Sequence, residues 1–235
     1  MNAIITTYFT SYLDVQRNIF WKNNDHNITN TWAKSIHDNN LNGIILHDNC
    51  VDEEFIRYYN PIKFIKVNTN YNFSCIDYRW YCIYELLNNP KYKFDYVFIT
   101  DLSDVRIVNS PFTSLLNDKI YIGNDNAGIV NSNNYLNKII FPQLHDYHFD
   151  FFKIINRPVL NCGVVGGHIS IIIPLIKRVL DEFNNIKRDN KRYYDMAIFN
   201  YILYKYYYND IVQDGVASIF KKYQNHRKDV WFIHK

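Results

Sequence analysis

Short apolar runs alternate with polar, often acid-headed stretches along the first half of the chain. The runs are "AIITTYF" (Ala3 to Phe9), "GIILHD" (Gly43 to Asp48), "IKFIKVN" (Ile62 to Asn68) and "YVFITD" (Tyr96 to Asp101). They are rich in β-branched and aromatic residues, so each is predicted as a strand. "YVFITD" is apolar on both faces, as a strand buried in a parallel sheet must be. The intervening stretches read as helices. "TWAKSIHDNN" ends near Asn39 or Asn40, and "DEEFIRYY" carries acids at its start, where the helix dipole favours them. In "SCIDYRWYCIYELLNN", Ile76, Trp80, Ile83 and Leu87 recur at helical spacing until Asn88-Asn89-Pro90 stops the run. The stretch from Thr10 to Asn30 is polar and is read as partly helical. Strands alternating with helices predict an α/β fold, a central, mainly parallel sheet flanked by helices.

The second half is less regular. "KIYIGND" is a strand, and a polar loop containing "HDYHFD" follows. "VLNCGVVGGHIS" is a strand holding Gly163, Gly166 and Gly167, three of the 7 glycines of the whole chain. That concentration marks it for close backbone approach. "IIIPLIKRVLDEFNN" is a helix with Pro174 in its first turn, and "DMAIFNYILYKYY" is a helix headed by Asp195. "DVWFIHK" is a short terminal strand. No repeat or flexible linker divides the 235 residues, so a single domain is expected.

Composition narrows the classes. The 48% hydrophobic share is enough for a sizeable core. No apolar run approaches the length of a membrane span, and "MNAIITTYFT" has no charged leader or long apolar segment. A cytoplasmic protein is expected. A net charge of +3 is too small to argue for a nucleic-acid partner. Cys50, Cys75, Cys82 and Cys162 form no CxxC pair and read as free thiols. The 21 tyrosines accompany an excess of Asn, Ile, Lys and Phe. All five have AT-rich codons, so the tyrosines are no sign of a stacking surface.

The chemistry gathers at strand ends. In "YVFITDLSDVRIVNSPF" a buried strand runs into Asp101 and Asp104. Ligands of parallel α/β sheets bind outside such carboxyl ends, and two carboxylates there suit Mg²⁺ or Mn²⁺. The alternative is a turn capped by Asp101. Asp48 ends the second run in the same way and can equally cap the next helix. Arg79, on the helix before the acidic strand, can meet a diphosphate, pair with Asp101, or form a structural salt bridge. Asn161 and the Gly166-Gly167 backbone can approach a sugar. Asp195 can be a catalytic carboxylate, a sugar contact or a helix cap. His145 and His148 have ligand-like spacing but no strand-end context. No Gly-rich P-loop or GxGxxG fingerprint occurs.

Taken in order, "DLSDVRIVNSPF", "NCGVVGG", "YYDMAIFNYIL" and the late His234 resemble GT-A-type glycosyltransferases, the nucleotide-sugar enzymes with a DxD-like motif. The small glycosyltransferases of large DNA viruses are similar in size. The acids here stand three apart, where the usual pair stands two apart. The resemblance implies a GT-A-like fold with a nucleotide-binding half (1–110) and an acceptor and sugar half (111–235). It implies Mn²⁺ (or Mg²⁺) on Asp104 and His234, with Asp101 facing the ribose and the metal. Lys235 would meet a phosphate, and Thr6, Thr7 and Tyr8 would cradle base and ribose. The implied activity is transfer of a hexosyl or deoxyhexosyl group from a nucleotide diphosphate donor, most naturally UDP-linked. The acceptor would be a hydroxyl of a glycan or glycoprotein. In a virus the compartment would be the host cytoplasm, and further domains can follow residue 235. The alternatives are a nucleotidyltransferase acting on sugar phosphates and a catalytically silent carbohydrate-binding domain.

Overall fold

The computed structural model describes residues 1–48, 51–68, 72–130, 154, 156–186 and 192–235. Cys50, the loop with His145 and His148, and the basic run from Lys187 up to Lys191 lie outside them.

In chain order the strands are β1 (Ala3–Tyr8), β2 (Leu13–Asp14), β3 (Ile19–Phe20), β4 (Gly43–His47), β5 (Lys63–Lys66), β6 (Tyr96–Thr100), β7 (Val105–Ile107), β8 (Ile120–Ile129), β9 (Pro158–His168), β10 (Ile211–Val212) and β11 (Phe232–His234). The helices are α1 (His26–Asp38), α2 (Glu53–Tyr58), α3 (Cys75–Leu87), α4 (Ile169–Asn185) and α5 (Asp195–Tyr206). A 7-stranded central sheet has the order β10-β8-β9-β6-β1-β4-β5. Only β9 runs against its neighbours β6 and β8; the other pairings are parallel. The mainly parallel sheet flanked by helices is therefore present, and both halves of the sequence supply its strands. Two small antiparallel sheets, β2–β3 and β7–β11, stand beside it.

Alternation along β1 divides the core. Ala3 and Ile5 pack with Trp80 of α3, Leu175 of α4 and Phe199 of α5. Ile4 and Tyr8 pack with Trp32 of α1 and Phe55 of α2, together with Phe232 of β11. No helix among the described residues is long and apolar enough to cross a membrane.

Three local readings change. The stretch after Thr10 forms the β2–β3 hairpin, and helix begins only at His26. Asp25 sets that start, its carboxylate accepting the Asn27 N–H at 2.9 Å. Helix α4 starts at Ile169, capped by the His168 ring, so Pro174 lies inside the helix, past its first turn. Gly166 and Gly167 sit opposite Phe98 and Val97, well inside the sheet. A Cβ on Gly166 would lie 2.5 Å from Phe98 Cγ, and one on Gly167 would lie 2.6 Å from the Lys119 carbonyl oxygen. These two glycines admit neighbouring groups of the fold.

Candidate metal centre

Asp101 and Asp104 stand just beyond β6, at the carboxyl end of the parallel strands. Two ladders turn them toward one space. The Asp101 N–H donates to the Gly163 carbonyl at 2.9 Å, which carries the β6–β9 pairing one residue past Thr100. Asp104 precedes β7, and β7 pairs with β11 so that His234 lies opposite Val105. The Lys235 N–H donates to the Asp104 carbonyl at 3.0 Å and closes that ladder. The last strand thereby delivers His234 beside Asp104. Buried Ser218 fixes its backbone, accepting the His234 N–H at 2.9 Å and donating to the His234 carbonyl at 3.2 Å.

The ligand atoms of Asp101, Asp104 and His234 lie within 4.8 Å of one another. His234 Nε2 is 3.7 Å from Asp101 Oδ2 and 4.0 Å from Asp104 Oδ1, too far for hydrogen bonds. Asp104 Oδ1 and both ring nitrogens of His234 are buried with no hydrogen-bond partner among the described residues. Such orphaned groups are costly, and buried polar atoms are ordinarily paired. A divalent cation between Asp104 Oδ1 and His234 Nε2 would remove the cost of those two atoms, though not that of Nδ1 on the far side of the ring, so the residues fit the metal expected from the sequence. Gly163 makes room for the cluster. A Cβ there would run into the His234 ring and come within 2.6 Å of Asp101 Oδ2.

The electrostatics follow from burial and neighbours. Burial pushes the Asp101 carboxyl up, but Arg79 and then His234 outweigh it and hold it below the usual range. Burial and the charge of Asp101 push Asp104 up to about 7, against the pull of Arg17. Burial lowers His234 to about 4 even though Asp101 opposes the shift. The imidazole is therefore neutral at pH 7 and has a lone pair to offer.

Arg79 resolves two of its three expected roles at once. From the buried face of α3 its Nη1 pairs with Asp101, and its Nη2 pairs with Asp195 at 2.8 Å. Asp195 is not the helix cap. It is the first residue of α5, preceded by Tyr194. Asp77 of α3 does the capping, accepting the N–H groups of Tyr194 at 2.9 Å and Asp195 at 3.0 Å. The Asp195 carboxylate is thus turned inward, where Trp80 Nε1 donates to it at 3.3 Å and Cys162 Sγ at 3.4 Å.

A pocket opens over the cluster. Its lining joins the apolar side chains of Tyr8, Trp21, Ile28 and Leu102 to polar ones from Arg17, Asn161 and Asp195. Thr7, Arg79, Asp101, Asp104 and His234 line it too. Asn161 spans Asp125, through its Nδ2 at 2.9 Å, and the Gly163 N–H, through its Oδ1 at 2.8 Å. Five expected residues are not brought to it. Thr6 is buried in the sheet. Asp48 is neither in the pocket nor a helix cap; it accepts the N–H groups of Thr10 and Ser11, the latter at 2.7 Å. The cap of α2 is Asp52. Gly166 and Gly167 lie deeper in the sheet, and Lys235 is exposed. Arg17, Asp77, Trp21 and Ser218 went unread in the sequence, because the fold, and no local motif, brings Arg17 to Asp104, Asp77 to Asp195, Trp21 to the pocket and Ser218 to His234. Ile76, one of the apolar residues at helical spacing, is half-buried and lines the pocket. Compared with known families and curated proteins, the chain matches no family model and no curated sequence.

Proposed function

We propose that the chain is a metal-dependent glycosyltransferase of GT-A-like fold, moving a sugar from a nucleotide diphosphate donor, UDP-linked in the first instance, to a hydroxyl of a glycan or glycoprotein. The observation that carries this reading is the convergence of Asp104 Oδ1 and the His234 imidazole, both orphaned and buried, beside Asp101 at the end of the parallel strands. Two carboxylates and one imidazole suit Mn²⁺ somewhat better than Mg²⁺, which prefers oxygen alone. When bound, the cation would neutralise the charge that builds on a departing diphosphate.

The chain's own groups divide the remaining work. Arg79 locks Asp101 and Asp195 in one rigid unit. Both Asp195 oxygens already accept hydrogen bonds, Oδ2 from Arg79 and Oδ1 from the Met196 N–H at 2.7 Å. A carboxylate held this firmly suits orienting a sugar hydroxyl through the remaining lone pair of Oδ1 better than stripping a proton. The apolar lining around Tyr8, Trp21 and Leu102 has the character needed against a nucleobase and ribose.

A thermal-shift panel of UDP, GDP and their sugars, each with and without Mn²⁺, tests the proposal. The expected result is stabilisation by a nucleoside diphosphate that requires the metal. Stabilisation by a nucleoside triphosphate together with a sugar phosphate would favour a nucleotidyltransferase. No response to any nucleotide would leave a silent carbohydrate-binding domain.

A further inference from the structure

Among the described residues two guanidinium groups, Arg17 and Arg79, border the pocket, and they are not equivalent. The Arg79 side chain is 10% exposed and is clamped between two carboxylates, so it offers no open face to a ligand. The Arg17 side chain is 35% exposed and lines the same pocket. It stands in the turn of the β2–β3 hairpin, and Asp14 pins that turn by accepting the N–H groups of Gln16 and Arg17, each at 3.0 Å. The Arg17 side chain spans Asp14 Oδ2 at 3.1 Å and Asp104 Oδ2 at 2.8 Å.

The two oxygens of Asp104 therefore face different ways. Oδ2 takes the guanidinium, while Oδ1 points toward His234 and has no hydrogen-bond partner among the described residues. A cation entering the Asp101–Asp104–His234 cluster would share this one carboxylate with Arg17. It would neutralise the charge that holds the guanidinium and would repel it across a short distance. An anion that reaches both positive groups removes the conflict. Phosphate does so by geometry, since one oxygen can ligate the metal while another accepts the planar fork of arginine.

We propose that Arg17 is the anion-binding residue of this pocket, accepting onto its guanidinium a phosphate oxygen of the ligand held at the metal. The inference rests on the glycosyltransferase reading for the identity of that ligand, a nucleoside diphosphate. The charge argument itself requires only a metal-bound phosphate. The role expected of Lys235 then falls to a residue 87 positions away from Asp104 in the chain.

Calorimetry on the full chain tests this, with wild type, Arg17→Ala and Arg17→Lys. Mn²⁺ is titrated alone, and UDP and inorganic pyrophosphate are then titrated into Mn²⁺-loaded protein. Arg17→Ala is expected to bind Mn²⁺ as tightly as wild type or more tightly, because a neighbouring positive charge is gone. It is expected to weaken both UDP and pyrophosphate at least tenfold, with Arg17→Lys in between. A structural brace for Asp104 would behave in the opposite way. Mn²⁺ binding would fall in Arg17→Ala and anion binding to loaded protein would not, and that result would overturn the proposal. Failure of both anions to bind loaded wild-type protein would overturn it too. Arg17-dependent binding of pyrophosphate, with UDP no tighter, would uphold the anion site and sink the nucleotide-sugar reading.

Discussion

Gly163 is the smallest residue of the centre and the most tightly hemmed in. His234, Asp101 and Asn161 all crowd the place where its Cβ would be. Gly163→Ala is therefore expected to push the imidazole and carboxylate apart and weaken Mn²⁺ binding at least tenfold. The stability loss should be about 1–3 kcal/mol, the usual cost of overpacking. Gly166→Ala, crowded by Phe98 instead, should cost a similar amount by urea denaturation but leave metal binding nearly intact. The concentration of glycine in this strand was legible as a signal. Which glycine served the site was not, because that depends on a histidine 71 residues later, brought in by β11.

Asp104 makes a pH prediction at the same scale. Its carboxyl is raised from 3.8 to about 7 by burial and by Asp101, so between those values the folded state holds a proton that the unfolded state has lost. This contribution to stability is complete below about pH 4 and disappears as pH rises through about 7. Without metal, Asp104 alone should make the melting temperature fall over that window, while His234, lowered from 6.5 to about 4, opposes it with a rise in stability between those two values. Asp104→Asn should flatten part of the slope; Asp77, raised to about 8 by burial and by Asp195, adds a slope of the same sign. Mn²⁺ affinity should run the other way, climbing as pH rises toward 7 and then levelling. His234 in the folded chain is neutral above about 4 and so adds nothing to the pH dependence of Mn²⁺ affinity within that range.

At the level of elements, the strands of the central sheet were readable because burial on both faces leaves a continuous apolar run. The β2–β3 hairpin was not. Its turn is held by the Asp14 side chain and, through Arg17, by Asp104, and neither contact leaves a local period. The cap of α5 was hidden for the same reason, since Asp77 comes from a different helix, 118 residues earlier than Asp195. Asp77→Ala should strip two N–H groups of their acceptor and cost about 1–2 kcal/mol, as loss of a helix cap does. It should also loosen Asp195 and slow any sugar transfer more than it weakens Mn²⁺. Comparing turnover with Mn²⁺ affinity in that variant separates the two effects. Equal losses in both would mean that Asp77 supports the whole centre and not α5 alone.

Across the whole molecule, the central sheet sends its parallel strands toward one edge, and three separate pieces meet there. The β6 end supplies Asp101 and Asp104, the β7–β11 ribbon supplies His234, and the hairpin supplies Arg17. The four carboxylates of Asp14, Asp101, Asp104 and Asp195 face two guanidinium groups, Arg17 and Arg79. A single divalent cation balances that set. The electron paramagnetic resonance signal of free Mn²⁺ tests this most directly, followed as wild type, Asp104→Ala and His234→Ala are titrated with and without UDP. The account predicts that wild type takes up one equivalent of Mn²⁺, more tightly with UDP, and that both variants leave the signal unchanged at the same concentrations. Uptake by Asp104→Ala equal to that of wild type, or none by wild type even with UDP, would contradict it.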